Sequence, residues 1–255
     1  MRYLATFSLI FLLGIATSFD FAVGQTSLGT GNGALVGNDL TDLGNDGSEG
    51  AYAPPNLAGF DAEFFSSNEP GFGGGEFAFN VFDNVTGGGN NKWCCGANAG
   101  TPQIVGARNF SFLGADEAIS LTSFTLTSSN DSPPRDPRVW TLEGSNDTTD
   151  GLDGTWTAIY QRTDGATSDW SSRNEVLEYS DATDGFLTDE AFTAFRLNTE
   201  ATGATSGAFF ALGEFELFGD VVSTAAVPEP TSVAIWSLIG LCLAGFGYSR
   251  IRRKK

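Results

Sequence analysis

The sequence predicts an all-β domain built as a two-layer sandwich, and three observations carry that reading. Short runs alternate apolar and polar residues, as in Phe124 and Leu126 against Thr125 and Thr127, or Phe215 and Leu217 against Glu214 and Glu216. The 255-residue chain is rich in residues that suit strands and turns, with 22 Phe and 33 Gly. No segment of the body shows a convincing 3.6-residue apolar period, so helix is expected to be the exception.

Taken in order, residues 1–24 have the layout of a secretory signal peptide. Arg2 precedes the apolar stretch Tyr3 to Ala16, and Ala22-Val23-Gly24 places small residues at the −3 and −1 positions for cleavage before Gln25, with cleavage after Ser18 as the alternative. Residues 25–49, rich in Gly, Asn and Asp, read as a flexible lead-in with one edge strand near Ala34–Val36. The sandwich is expected over residues 50–220. Its strands are placed at Asp61–Phe65, Glu76–Phe82, Ile104–Phe112, Ile119–Ser128, Arg138–Ser145, Thr155–Gln161, Glu175–Tyr179, Ala194–Thr199 and Phe209–Phe218. The stretches Gly71 to Gly75 and Gly87 to Asn91 are expected loops.

Residues 221–232 read as a linker containing Val227, Pro228, Glu229 and Pro230, whose prolines keep the backbone extended. Residues 233–248 carry no charge and form a candidate transmembrane helix of roughly 24 Å, short of a hydrocarbon core of about 30 Å. The tail at 249–255 holds five basic residues and is expected to stay cytoplasmic, which places the body outside. An ordinary tail anchor is the bland reading of these features. The tripartite tail also resembles the PEP-CTERM sorting signal of Gram-negative bacteria. That resemblance implies processing by an exosortase, removal of the helix, and a final place at the cell surface, outer membrane or extracellular matrix.

Charge and missing residue types narrow the functions available to the body. Of 31 acidic residues only Asp20 and Glu229 lie outside it, leaving 29 against seven basic residues, a net of −22. Such a field disfavours nucleic acid and favours divalent cations, although a surface adapted for solubility accounts for it equally well. Histidine is absent, which excludes Ser-His-Asp and Cys-His hydrolysis and histidine-ligated zinc. Cys94 and Cys95 are the body's two cysteines, so no disulfide framework exists. Free thiols, a vicinal disulfide and an intermolecular bridge all remain open. Acidic residues Asp147, Asp150 and Asp153 lack the ordered spacing of a cation loop and read as a solvated hairpin turn. Four Asn-X-Ser/Thr triplets, at Asn84, Asn109, Asn130 and Asn146, carry no weight in a chain this rich in Asn and Thr.

The most informative body segment runs from Ser129 through Arg135-Asp136-Pro137 and Trp140 to Gly144-Ser145-Asn146-Asp147, followed by Trp156. A turn-rich loop enters a strand with a buried Trp140, with Arg135 and Asp136 expected to pair and fix the loop. With Asn80-Val81-Phe82-Asp83-Asn84, Lys92-Trp93, Phe195-Arg196-Leu197 and Gly213-Glu214-Phe215-Glu216-Leu217-Phe218-Gly219, it resembles the discoidin or coagulation-factor type C domain. The resemblance implies a galactose-binding-like jelly roll of eight strands, used as a non-catalytic binding module, most often for carbohydrate. It also implies a structural calcium held by Asp83, Thr86 and Glu214, in a loop longer here than the family's. The bland alternative is that Asp83 caps a turn while Glu214 faces solvent.

Trp170, Arg173 and Asn174 are candidate ligand-binding residues, because an aromatic beside polar side chains suits a sugar ring. The same pair of Trp170 and Arg173 also fits a structural role, and Trp93, Trp140 and Trp156 read as core. Three functions compete: a surface or matrix module for polysaccharide, a structural envelope protein with no small ligand, and an exopolymer hydrolase. The hydrolase is the weakest, since no catalytic set is visible.

Overall fold

The computed structural model describes residues 25–48, 57–69, 74–94, 102–163, 169–203 and 209–224, together with Trp236 and Ile239. The signal peptide, the motif Val227, Pro228, Glu229 and Pro230, and nearly all of the 233–248 span lie outside the described residues. Among the described residues no helix is long and apolar enough to cross a membrane.

Eleven strands are described: β1 Thr26–Thr30, β2 Glu63–Ser66, β3 Trp93–Cys94, β4 Gln103–Arg108, β5 Glu117–Thr127, β6 Pro137–Ser145, β7 Thr157–Arg162, β8 Glu175–Ser180, β9 Ala194–Thr202, β10 Ala211–Leu212 and β11 Glu214–Ser223. A four-residue helix, α1, spans Asp181–Asp184. One sheet has the order β1-β8-β5-β11, a second has β2-β4-β9-β6-β7, and β10 and β3 form a separate short pair. All pairings are antiparallel. The chain is therefore an all-β sandwich, as its alternation implied.

Alternation sets the interior. Phe215 and Leu217 of β11 and Phe124 and Leu126 of β5 point inward, facing Trp140 and Leu142 of β6 and Phe195 and Leu197 of β9. Phe124 stacks on Tyr179 at 4.9 Å between centroids and meets Trp140 edge-on at 6.0 Å, so an aromatic cluster joins the two sheets. A second layer runs through Phe64, Phe82 and Phe215, with Trp93 against Phe210 at 4.7 Å.

Three elements differ from the sequence expectation. The Glu76–Phe82 segment is not a strand but holds a 3-10 turn over Ala78–Val81. Ala78, Phe79, Asn80, Val81 and Phe82 are buried consecutively, so the segment has no solvent face for a period of two to mark. Asn80 ties the turn to the segments on either side by donating its side-chain amide to the carbonyls of Gly75, Asn90 and Lys92. The Phe209–Phe218 run is broken at Gly213 into β10 and β11.

The lead-in is the third difference. Residues 25–48 supply β1, paired with β8, and bury Asp39, Leu40, Thr41 and Asp42. Around Ala34 the chain forms a 3-10 turn, Asn32–Ala34, where an edge strand was expected. Gly and Asn serve here to allow positive φ at Gly31, Gly37 and Asn38, which shape a strap and not a free tail.

Candidate metal centre

The site is assembled from the start of β11 and the loop that leaves the Ala78–Val81 turn. Because Phe215 and Leu217 face the core, Glu214 and Glu216 face the other side of the sheet, opposite Thr127 and Thr125 of β5. That side is not open to solvent, since Glu214 and Glu216 are each only 1 % exposed. The expected alternative of a solvent-facing Glu214 is thereby overturned. Asp83 does form a turn, accepting the Val85 amide at 3.0 Å, and Asn84 sits at φ 58° with its amide directed to Glu214 Oε1 at 3.1 Å.

Several oxygens around this loop lack partners. Glu214 Oε2, Thr86 Oγ1, Asn84 Oδ1 and Thr127 Oγ1 are buried and accept or donate no hydrogen bond. A buried polar atom left unpaired costs about 1–3 kcal/mol, so four in one region call for an explanation. Gly213 keeps space among them: a Cβ there would lie 2.8 Å from the Ser128 carbonyl and 3.2 Å from Thr86 Oγ1.

The electrostatics agree. Burial first, and then the nearby Asp83 carboxylate, push the Glu214 carboxyl well above the usual range. Burial likewise raises Asp39 to about 7. Among the described residues no lysine or arginine pairs with Glu214, Glu216 or Asp39. The donor set is wholly oxygen, comprising carboxylate, hydroxyl and amide. That chemistry fits a hard divalent cation, and calcium with its six to eight oxygen ligands best. Asp83, Thr86 and Glu214, the three residues expected from the sequence, would hold the ion. The unpaired Asn84 Oδ1 is a fourth oxygen in the same loop, which the resemblance did not single out.

A second acidic group does not share these properties. Glu76, Cys94 and Asp131 place ligand atoms within 4.8 Å of one another. Lys92 Nζ already lies among them, 2.9 Å from Glu76 and 3.3 Å from Asp131. Cys94 is in a disulfide and offers no thiolate; its partner lies outside the described residues. This cluster is an internal ion network. The Asp147–Asp153 loop is the expected hairpin turn between β6 and β7: Asp153 accepts from Thr148 and Thr149, and Asp147 from the Thr155 amide.

The residues expected to touch a sugar are structural. Trp170 is 5 % exposed and donates its indole N–H to the Leu126 carbonyl at 3.3 Å, so it presents no stacking face. Arg173 grips the fully buried Asp136 through two contacts of 2.7 Å. Asn174, at φ 57°, accepts the Gly31 amide through its carbonyl and ties β1 to the loop before β8. Arg135 reaches Asp131 at 3.0 Å, and Asp136 meets Arg173 at 2.7 Å.

Trp93 and Trp140 are core, as expected, but Trp156 is half-buried at the surface with the Arg196 guanidinium 4.0 Å from its ring centroid. Phe209, which sequence reasoning assigned to a strand, is 48 % exposed. Its neighbour Phe210 is 2 % exposed, and the Arg135 guanidinium lies 5.7 Å from the Phe209 ring centroid. The doublet itself was the available signal, because adjacent residues near a strand point to opposite sides.

No family model matches the chain, and no curated protein does. Solved structures resemble it distantly. A family 32 carbohydrate-binding module of Clostridium perfringens NanJ, in complex with galactose, is 14 % identical over 62 % of this chain and 93 % of that one, with a TM-score of 0.41. The family 32 module of Streptococcus pneumoniae EndoD is 12 % identical over 62 % and 96 %, at 0.43. A chitosan-binding module from a chitosanase/glucanase of Paenibacillus sp. is 19 % identical over 62 % and 96 %, at 0.41.

Proposed function

We propose that the chain is an exported surface or matrix protein whose galactose-binding-like sandwich is a calcium-stabilised, non-catalytic module for polysaccharide. The observation that carries the module reading is the pair of buried, unpartnered oxygens of Glu214 and Thr86, at two of the three positions where the discoidin resemblance implies a structural ion, with Asn84 Oδ1 beside them in the same loop. The sandwich architecture and the absence of histidine support a binding role over a catalytic one.

Phe209 is the most exposed aromatic among the described residues of the sandwich, and the Arg135 guanidinium lies 5.7 Å from its ring centroid, which suits a pyranose ring stacked on an aromatic with a hydroxyl bound by a polar group. A glycan array on the folded body is expected to show saturable binding that Phe209→Ala weakens about tenfold, or roughly 1.4 kcal/mol. Silence across the array would favour the structural envelope role.

Export and sorting rest on the two terminal signals. The intact mass of protein recovered from cells is expected to place the mature N-terminus near Gln25 and the mature C-terminus near Pro228–Thr231. A chain ending at Lys255 would mean a simple anchor and would sink exosortase processing.

A further inference from the structure

The strap formed by residues 31–48 is joined to the candidate ion loop at two points and to the edge of the sheet beside it. Thr86 donates its amide to Asn32 Oδ1 at 2.7 Å, and Asn84 Nδ2 reaches Asp42 Oδ2 at 3.4 Å. One residue beyond Glu214's inward neighbour, Glu216 accepts the strap amides of Val36 and Gly37 at 3.3 and 2.6 Å. Leu40 donates to the Leu217 carbonyl at 2.8 Å, while the Leu217 amide donates to Asp39 Oδ2 at 3.0 Å. The strap thus closes the free edge of β11 and covers the face that carries Glu214 and Glu216.

This seating gathers carboxylates. Asp39 of the strap comes to lie beside Glu214 and Glu216, Asp83 stands beside Glu214, and Asp42 meets the ion loop at Asn84, with no lysine or arginine partner for Asp39, Glu214 or Glu216 among the described residues. Like charges crowded in a region of low dielectric repel strongly, and lifting the strap relieves them by admitting water. A divalent ion in the loop relieves them without lifting it.

We propose that strap and loop form one cation-coupled unit: a calcium ion at Asp83, Thr86 and Glu214 locks residues 31–48 across the outer face of the sheet, and the seated strap tightens the ion's site. The inference rests on the cation reading above and adds a partner to it, a segment that contributes none of the three expected ligands. Reciprocity follows from linkage, since whatever the ion does for strap seating, strap seating does for ion affinity. The metal-free protein is then the form in which the β11 edge becomes available for strand pairing.

Two measurements on the full chain, with calcium chloride or with chelator, test this. Hydrogen exchange read by mass spectrometry should slow at least tenfold for peptides covering residues 36–40 when calcium is added. Isothermal titration should show calcium affinity reduced about fivefold or more by Asn32→Ala, the lower end of ordinary coupling, and restored by Asn32→Asp, which keeps an oxygen acceptor for the Thr86 amide. Asn32 is exposed, so the alanine variant is expected to fold. Calcium binding with unchanged strap exchange and an unchanged affinity in Asn32→Ala would overturn the coupling and leave the ion site standing. No calcium binding to the unaltered protein would overturn both.

Discussion

Calcium at 100 times its dissociation constant is expected to raise the unfolding midpoint of the metal-free protein at pH 7.5, and Glu214→Gln is expected to abolish the rise. Mass action at that concentration stabilises by about 2.7 kcal/mol, which in a domain of roughly 200 residues corresponds to about 5–11 °C. The variant has a second signature. In the metal-free protein Glu214 is a buried acid held well above its usual pKa, so glutamine removes a group whose ionisation the fold disfavours. Metal-free Glu214→Gln should therefore melt no lower than the unaltered chain, and only its calcium response should vanish.

The same groups set the pH dependence. A carboxyl whose folded pKa is raised stabilises the fold fully below its unfolded pKa, near 4, and loses that contribution as pH rises through the folded value. Asp39, raised to about 7, and Glu214, raised well above 4.5, both have this sign. Metal-free protein should consequently lose stability between about pH 4 and pH 7. Calcium competes with the proton on Glu214, so its effect on the midpoint should be larger at pH 7.5 than at pH 5. Equal shifts at the two pH values would argue against Glu214 as a ligand.

Arg173→Ala is expected to lower the unfolding midpoint by about 6–12 °C. The substitution strands the Asp136 carboxylate, which is wholly buried, and breaking a buried ion pair from one side costs about 3–5 kcal/mol. The lower figure is appropriate because the Arg173 side chain is 24 % exposed and water can replace part of it. Arg173→Lys should recover little, since an ammonium cannot reproduce the two parallel contacts. Glycan binding measured well below the midpoint should be unchanged. A variant of normal stability that fails to bind sugar would instead return Arg173 to the ligand site.

The contrast between Trp170 and Phe209 shows where sequence reading reached its limit. Both are aromatics near loops, and the one local difference is the Phe209-Phe210 doublet, which says that one of two rings faces outward without saying which. Trp170 is covered because its indole crosses to β5 and bonds the Leu126 carbonyl, a contact 44 residues away in the chain. Phe209 is open because Phe210 takes the inward position against Trp93. The Glu76–Phe82 segment failed for a related reason. Period-two patterning reports a strand with one wet face, whereas residues 78–82 are buried one after another and the turn closes on its own backbone, Asn80 and Phe82 donating their amides to the Phe77 and Phe79 carbonyls.

Alternation in the chain was sufficient to determine the sandwich, most of its strands, and the inward set of Phe124, Leu126, Phe215 and Leu217, because core burial follows side-chain period directly. Asp83, Thr86 and Glu214 were indicated by the resemblance to the discoidin domain and not by alternation. Only the tertiary structure decided what the polar side of β11 meets. By period, Glu214 and Glu216 belong to the outer face, and outer usually means wet. Here residues 31–48, which are Gly- and Asn-rich and read as a loose tail, lie over that face and bury it. Burial of a carboxylate depends on which distant segment covers it, and that is a property of the folded chain alone.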